Sequence, residues 1–341
     1  MASILVLCGG DNLERRVSLA SGDAVSLGLA EAGHKVVKID TALPEQIFRA
    51  DEPILKGTIG PTPPDEVKSA HMTRKGWAML NTTISMLDID MVFPILHGSW
   101  GEDGRIQALL ELLGLPYLGS GMLSSQVCMN KPLTKETAVR SGIACADGFI
   151  VPAESELNNA LKICQEKYHY PVVVKPSNSG SAVNVFIVQN EQELINGLEN
   201  IWNDGEVPLV EQYIPGRELT VTVLENKSLP VVEIVPKTTF YDYTRKYTAG
   251  ETEYLCPAPI DDEIAVNVRE MSAKVFAALG CRHIARVDWR LSPDNMLYFL
   301  EVNTIPGMTA LSLVPMAASE TGIDFPNLMD KFVNMVLNDS N

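Results

Sequence analysis

Positive charge is scarce in this chain. Its 341 residues hold 27 Lys and Arg against 43 Asp and Glu, a formal charge of -16, which argues against a surface for nucleic acid or for an anionic membrane. An anionic substrate would need a locally positive pocket. Cysteine is sparse and unpatterned: Cys8, Cys128, Cys145, Cys164, Cys256 and Cys281 form neither a C-x-x-C nor a paired framework. Structural zinc and disulfides are therefore not expected, and a reduced cytoplasm fits. The five histidines include no H-E-x-x-H, so the metalloprotease pattern is missing. No apolar run approaches the ~20 residues of a membrane helix. Met1 to Leu7 enters a short apolar strand without a basic flank, so no signal peptide is expected. Repeats and low-complexity segments are absent. With 46% hydrophobic and 21% charged residues the composition is that of a soluble globular protein, and the length predicts two or three domains.

What is present centres on two alternating arms, Arg286-Val287-Asp288-Trp289-Arg290 and Tyr298 to Met308, separated by Ser292-Pro293-Asp294-Asn295. Alternation at period two with turn chemistry between reads as a β-hairpin. A turn centred on Asp294-Asn295 sets Asp288 opposite Glu301 and Arg286 opposite Asn303, all on one face. Opposed carboxylates repel unless a cation lies between them. Magnesium is the natural candidate, because it takes hard oxygen ligands together with substrate phosphates, and Arg286 could then stabilise charge on a reacting phosphate or oxyanion. The bland alternative is a solvated face with incidental charges; two acids, an amide and an arginine in register outweigh it.

Taken in order, Ile4 to Cys8 reads as a buried strand, Val17 to Ala32 as a helix and His34 to Ile39 as a strand. This opening predicts a doubly wound α/β domain. Gly9-Gly10 at the helix entrance could host an anion, but the dinucleotide spacing is missing. Glu14 in the same loop would repel phosphate and hold an ammonium group. Residues 43–75 read as irregular. A third strand, Asp90 to Leu96, ends in His97-Gly98-Ser99-Trp100-Gly101; taken alone, His97 reads as structural. After Gly119-Ser120-Gly121 come two helices, Leu123 to Met129 and Lys131 to Ser141. The strand Tyr170 to Pro176 then runs into Ser177-Asn178-Ser179-Gly180-Ser181, whose amides can wrap phosphates beside the charge of Lys175. Phe240 to Gly250 is polar and aromatic, long enough for a mobile lid.

These features together resemble the ATP-grasp architecture and, from end to end, the D-alanine–D-alanine ligase family. The matching stretches are GGDNLERRVSLASG, LHGSWGEDG, GSGMLSSQVCMNK, PVVVKPSNSGSAVNV, EQYIPGRELTV, FYDYTRKYT, CPAP and RVDWR…YFLEVNTIPGMTALSLVP. The fold class implied is α/β and α+β, an ATP-grasp fold behind an N-terminal doubly wound domain, with segments 1–120, 121–213 and 214–341. The resemblance implies that Lys131 and Lys175 bind the ATP phosphates, that Ser181 and Lys246 also meet the cofactor, with Lys246 beside the acceptor, that Glu211, Gln212, Tyr213 and Ile214 meet the adenine, and that Glu218 holds the ribose. Asp288, Glu301 and Asn303 would bind magnesium, two ions by family habit, with manganese as a substitute. The first D-alanine would sit by Glu14, Val17 and His97, and the second by Arg286, Gly307, Ser312 and Leu313. Glu14, Ser181 and Tyr247 would form a hydrogen-bonded group joining loop and lid, with Arg286 and the Gly307 amide on the oxyanion. In the family, lids with a Lys-Tyr pair, here Lys246-Tyr247, accompany dipeptide products. The partners implied are D-alanine and ATP; a homodimer is left open.

The chain departs from the family pattern at Ser179 for a common glutamate, Ala182 for serine, Asn184 for glycine, Asn130 for aspartate and Arg16 for glutamate. A hydroxyl lost beside the γ-phosphate removes a hydrogen bond of ~1.5–3 kcal/mol if charged. Rival readings are a sister ligase with D-lactate, D-serine or an L-amino acid as acceptor, and a nucleotide-binding regulator without turnover, which would have no need for opposed metal carboxylates.

Overall fold

The computed structural model describes residues 1–10, 12, 14–55, 73–180, 184–236, 252–309 and 312–339. The first strand, β1 (Ser3–Cys8), is buried on both faces. Ile4, Val6 and Cys8 pack with Leu19, Val25 and Leu29 of α1 (Arg15–Glu31). Leu5 and Leu7 pack on the other side with Leu80 and Ile84 of α2 (Arg74–Ser85) and with Ile106 and Leu110 of α3 (Arg105–Leu112). Helices on both sides explain why the strand reads as a continuous apolar run. β2 (Lys35–Asp40) and β4 (Met91–Pro94) flank β1 in parallel, and β3 (Phe48–Arg49) adds an antiparallel edge, giving the order β3-β2-β1-β4. The doubly wound expectation holds. The glycine pair does not form an open anion cradle: Arg15 binds Asp40 with both nitrogens at 2.8 and 2.5 Å and the Gly10 carbonyl at 2.7 Å, closing the loop.

α4 (Met122–Met129) and α5 (Lys131–Arg140) lead into a second sheet of β5 (Gly148–Ile150), β6 (Val172–Pro176), β7 (Phe186–Val188) and β8 (Pro208–Gln212), ordered β5-β8-β6-β7 with antiparallel pairs. α6 (Leu157–Ile163) and α7 (Glu191–Asn203) cover one face, burying Ala160, Leu194, Leu198 and Ile201 against Val172, Val174 and Val210. The opposite side of this sheet and the end of β6 carry the charged residues described below.

The third sheet holds β9 (Arg217–Leu224), β10 (Lys227–Ser228), β11 (Val232–Pro236), β12 (Thr252–Leu255), β13 (Ile284–Leu291) and β14 (Leu297–Asn303), ordered β12-β11-β9-β13-β14 with β10 hairpinned on β9. Ala285, Val287, Trp289 and Leu291 pack on Val268, Val275 and Phe276 of α8 (Asp262–Ala278). Strand alternation then turns Arg286, Asp288 and Arg290 to the other face. A slip by one residue would bury those charges without partners, so apolar packing fixes which face carries them.

α9 (Leu313–Ser319) and the terminal helix α10 (Phe325–Asp339) return to the first sheet, where Leu328, Met329, Phe332 and Val336 join the β1 and α1 cluster. Two histidines fasten α10 in the same manner. His34 Nδ1 accepts from the Ala2 amide at 3.2 Å and its Nε2 donates to Asp330 at 3.1 Å; His283 Nδ1 accepts from the Gly119 amide at 3.1 Å and its Nε2 donates to Asp339 at 2.8 Å. Among the described residues no helix is long and apolar enough to cross a membrane.

Candidate active site

Asp288 anchors the reactive face of the third sheet. Thr220 Oγ1, from the neighbouring β9, donates to Asp288 Oδ1 at 2.5 Å, while Arg286 Nε and Nη2 donate to Oδ1 and Oδ2 at 2.9 and 2.8 Å. Across the hairpin Glu301 pairs with Asp288 and Asn303 with Arg286, as the alternation predicts. The route to that register differs from the expectation. Leu291 pairs with Leu297 and Trp289 with Phe299, so the turn centres on Asp294, and a bulge between there and Glu301 inserts Leu300 as an extra residue. The bulge also breaks the alternation: Phe299 and Val302 both reach the apolar cluster, leaving Glu301 and Asn303 on the face of Asp288.

Each of the opposed carboxylates has a cation beside it. Arg286 holds Asp288, and Lys131 Nζ lies 3.4 Å from Glu301 Oε2. The Asn303 Oδ1 accepts from the Ile305 amide at 3.0 Å. Two carboxylates and an amide oxygen are a hard, all-oxygen donor set, which suits a small divalent cation. Among the described residues no group of three or more His, Cys, Asp or Glu side chains is gathered as a metal site.

Next to this face lies a buried lysine cluster. Lys131, at the first position of α5, donates to the Ser179 carbonyl in the phosphate-type loop, and its own amide donates to the Ser177 carbonyl at 2.9 Å. Lys175, at the end of β6, reaches Glu211 Oε2 at 2.7 Å, and Lys135 donates to Glu211 Oε1. Burial alone would raise the Glu211 carboxyl; Lys175 and Lys135 outweigh it and hold the group down at about 2. Glu218, paired with Arg290 at 3.3 Å, is pushed up to about 7 by burial against that arginine's pull. Arg290 Nε also donates to the Ile214 carbonyl at 3.1 Å, so it braces the strip 211–214 against Glu218. Gln212 is exposed and its amide donates to the Asp147 carbonyl at 2.9 Å.

The first sheet contributes Glu14, which is buried. A side-chain carbon at Gly98 would lie 2.9 Å from Glu14 Oε2, and one at Gly180 would lie 3.8 Å away. Glu14 is thus flanked by the loop after β4 and by the phosphate-type loop of the second sheet. Asn12 fixes that geometry, donating to the His97 and Ser99 carbonyls at 2.7 and 3.1 Å and accepting from the Glu14 amide at 2.9 Å. His97 Nδ1 donates to the Ile305 carbonyl at 2.9 Å, tying this loop to the segment containing Gly307. Ser312 Oγ accepts from the Thr309 amide at 2.9 Å and would lie 3.0 Å from a side-chain carbon at Gly307. Val17 and Leu313 are buried.

The structure therefore brings Glu14, His97, Lys131, Lys175, Glu211, Glu218, Arg286, Asp288, Glu301, Asn303, Gly307 and Ser312 onto adjoining edges of three sheets. Ser181, Lys246, Tyr247 and the lid from Phe240 to Gly250 lie outside the described residues. Sequence reasoning missed Lys135. Its signal was the i+4 spacing from Lys131, which puts both lysines on one helix face. Two of the departures find local reasons. Asn184 has φ 55° and donates to Asp204 at 2.5 Å, a left-handed conformation that glycine favours and asparagine tolerates. Asn130 caps α5 by accepting from the Leu133 amide at 3.0 Å, the role an aspartate would fill equally.

Family models for the D-ala D-ala ligase N-terminus and C-terminus match residues 3–120 and 140–334. The chain is 38% identical to a D-alanine–D-alanine ligase of Syntrophotalea carbinolica over 97% of its own length and 94% of that protein. With the one from Aquifex aeolicus it shares 37%, over 96% and 98%. Among solved structures, D-alanine–D-alanine ligase from Bacillus anthracis complexed with ATP superposes with a TM-score of 0.77 at 31% identity, covering 99% of this chain and 98% of that one. VanG D-Ala:D-Ser ligase from Enterococcus faecalis gives 0.77 at 27% identity, covering 98% and 99%.

Proposed function

Since the chain belongs to the D-alanine–D-alanine ligase family and has its ATP-grasp fold, we propose that the edges described above work as one active site joining two D-alanines at the expense of ATP. The protein is an ATP-dependent ligase, and its product, D-alanyl-D-alanine, is a building block of peptidoglycan. The observation that supports the site assignment best is Glu301 held opposite Asp288, beside Arg286 and within reach of Lys131.

On this reading Glu14 binds the ammonium of the first D-alanine and turns its carboxylate toward the nucleotide. Lys131 and Lys175 hold the phosphates, and Glu218 the ribose. The carboxylate takes the γ-phosphoryl group, ADP leaves, and the resulting acyl phosphate is attacked by the neutral amine of the second D-alanine. Arg286 and the Gly307 amide stabilise the tetrahedral oxyanion, and phosphate departs as the peptide bond forms. A magnesium ion held by Asp288, Glu301 and Asn303 would neutralise phosphate charge. The division at residues 121 and 214 belongs to the same proposal, supported by one sheet in each segment, as does a cytoplasmic location, supported by six free cysteines.

D-Alanine is favoured as acceptor over D-serine by the identities: 38% and 37% with the D-alanine–D-alanine ligases above, 27% with the D-Ala:D-Ser ligase. The test is one incubation with ATP, magnesium, D-alanine, D-serine and D-lactate at pH 7.5, resolved by chromatography. D-Alanyl-D-alanine should predominate. A predominant ester or D-alanyl-D-serine would overturn the acceptor assignment, and phosphate release that persists in excess chelator would overturn the metal.

A further inference from the structure

Helix α5 turns two lysines toward the nucleotide side, Lys131 and Lys135, and both are buried. Lys135 donates to one oxygen of Glu211, and Lys175 lies 2.7 Å from the other. Glu211 has room to lean there because Gly148 stands opposite it, where a side-chain carbon would lie 2.8 Å from Glu211 Cγ. One carboxylate thereby joins α5, β6 and β8.

Full charge balance for two ammonium groups would take two carboxylates. With Lys131 beside Glu301, the described residues of this cluster hold three ammonium groups against two carboxylates. The surplus charge is what an incoming phosphate would match. The two lysines on Glu211 are not equivalent. Burial and the neighbouring Lys175 bring Lys135 down to about 8, whereas for Lys175 the same burial is outweighed by Glu211 and its affinity for a proton rises.

We propose that Lys135 is a positioning residue: by occupying one oxygen of Glu211 it weakens that carboxylate's hold on Lys175, leaving Lys175 able to turn to a nucleotide phosphate. The proposal rests on Lys175 being a phosphate ligand. Lys135 acts through Glu211 and needs no contact with ATP.

The experiment measures KM for ATP and kcat at pH 7.5 for Lys135→Met, Lys135→Arg, Glu211→Gln, Lys175→Met and the double variant Lys135→Met with Glu211→Gln. Without Lys135, Glu211 holds Lys175 alone, so KM for ATP should rise about tenfold with kcat within about threefold of the parent. Lys135→Arg keeps the charge and should stay near the parent. Measured against Glu211→Gln, which carries any loss at the adenine, adding Lys135→Met should raise KM for ATP no further, because no carboxylate is left to trap Lys175. A lysine that only supports the fold predicts the reverse, with the second substitution adding to the damage, and that result overturns the proposal. Should Lys135→Met fail to fold, Lys135→Ala, which likewise leaves that oxygen of Glu211 without its partner, is read the same way. An unchanged KM in Lys175→Met would overturn the phosphate assignment, and the proposal with it. A raised KM there with none in Lys135→Met would overturn the role of Lys135 alone.

Discussion

Glu301 lies opposite Asp288 only because Leu300 is an extra residue in β14. Pairing outward from the turn, with Leu297 on Leu291 and Phe299 on Trp289, would have brought Leu300 to that position. Deleting Leu300 should take out the bulge and leave Glu301 directly after Phe299, still opposite Asp288 in a plain hairpin. The expected outcome is ligase activity kept within about tenfold of the parent, because the carboxylate pair is preserved. Glu301→Gln keeps the backbone and should lose about 100-fold or more in turnover while melting close to the parent. An activity loss as large in the deletion as in Glu301→Gln would contradict the register argument.

Gly98 keeps Glu14 in place. Its φ of 69° disfavours any side chain, and a methyl group there would press on Glu14 Oε2. Gly98→Ala should therefore raise KM for the first D-alanine by about tenfold and leave nucleotide affinity nearly unchanged. Initial-rate kinetics that vary D-alanine and ATP separately check this.

Asn184 occupies a left-handed position, so backbone preference decides what it tolerates. Asn184→Gly should stay within about 1 kcal/mol of the parent, losing the bond to Asp204 and gaining backbone ease. Asn184→Val should cost about 1–2 kcal/mol. Urea denaturation with a tryptophan readout would separate them.

His283 gives a pH signature. Burial lowers its affinity for a proton below the ordinary value near 6.5, against the opposing pull of Asp339, and its Nδ1 is already an acceptor for the Gly119 amide. A histidine depressed in the fold contributes stability that is full above its unfolded value and is lost as pH falls through it toward the folded value. The parent should thus lose more melting temperature between pH 7.5 and 5.5 than His283→Gln does. Parallel melting curves across that window would refute the assignment.

Much of the site was legible because strand alternation and charge travel together: Asp288, Glu301 and Arg286 declare their face through the apolar residues between them. The bulge was not legible, since Phe299-Leu300-Glu301-Val302 reads as alternating from either end and only the sheet's core decides where the extra residue falls. Lys135 was missed because a lysine inside a helix ordinarily faces water, and its burial depends on β6 and β8, far along the chain. Helix α7 was missed although Asn190 and Glu193 both cap it, Asn190 Oδ1 accepting from the Glu193 amide at 3.0 Å and Glu193 Oε2 from the Gln189 amide at 2.8 Å. That spacing is a helix-start signal, which the polar residues around it obscured. The region 43–75 was read as irregular, yet α2 begins at Arg74, capped by Thr73.

The terminal helix lies on the first strand's layer, with Phe332 against Phe93 at a ring separation of 5.9 Å and Phe325 against Gly28. During synthesis the N-terminal sheet and α1 are made early, but the part of that flank which α10 covers stays open until residues 325–339 have left the ribosome. That part of the flank must therefore wait for α10 while the second and third sheets are made. A circular permutant that joins residue 339 to residue 1 and opens the chain at a loop elsewhere would place the two partners side by side in sequence and shorten that wait.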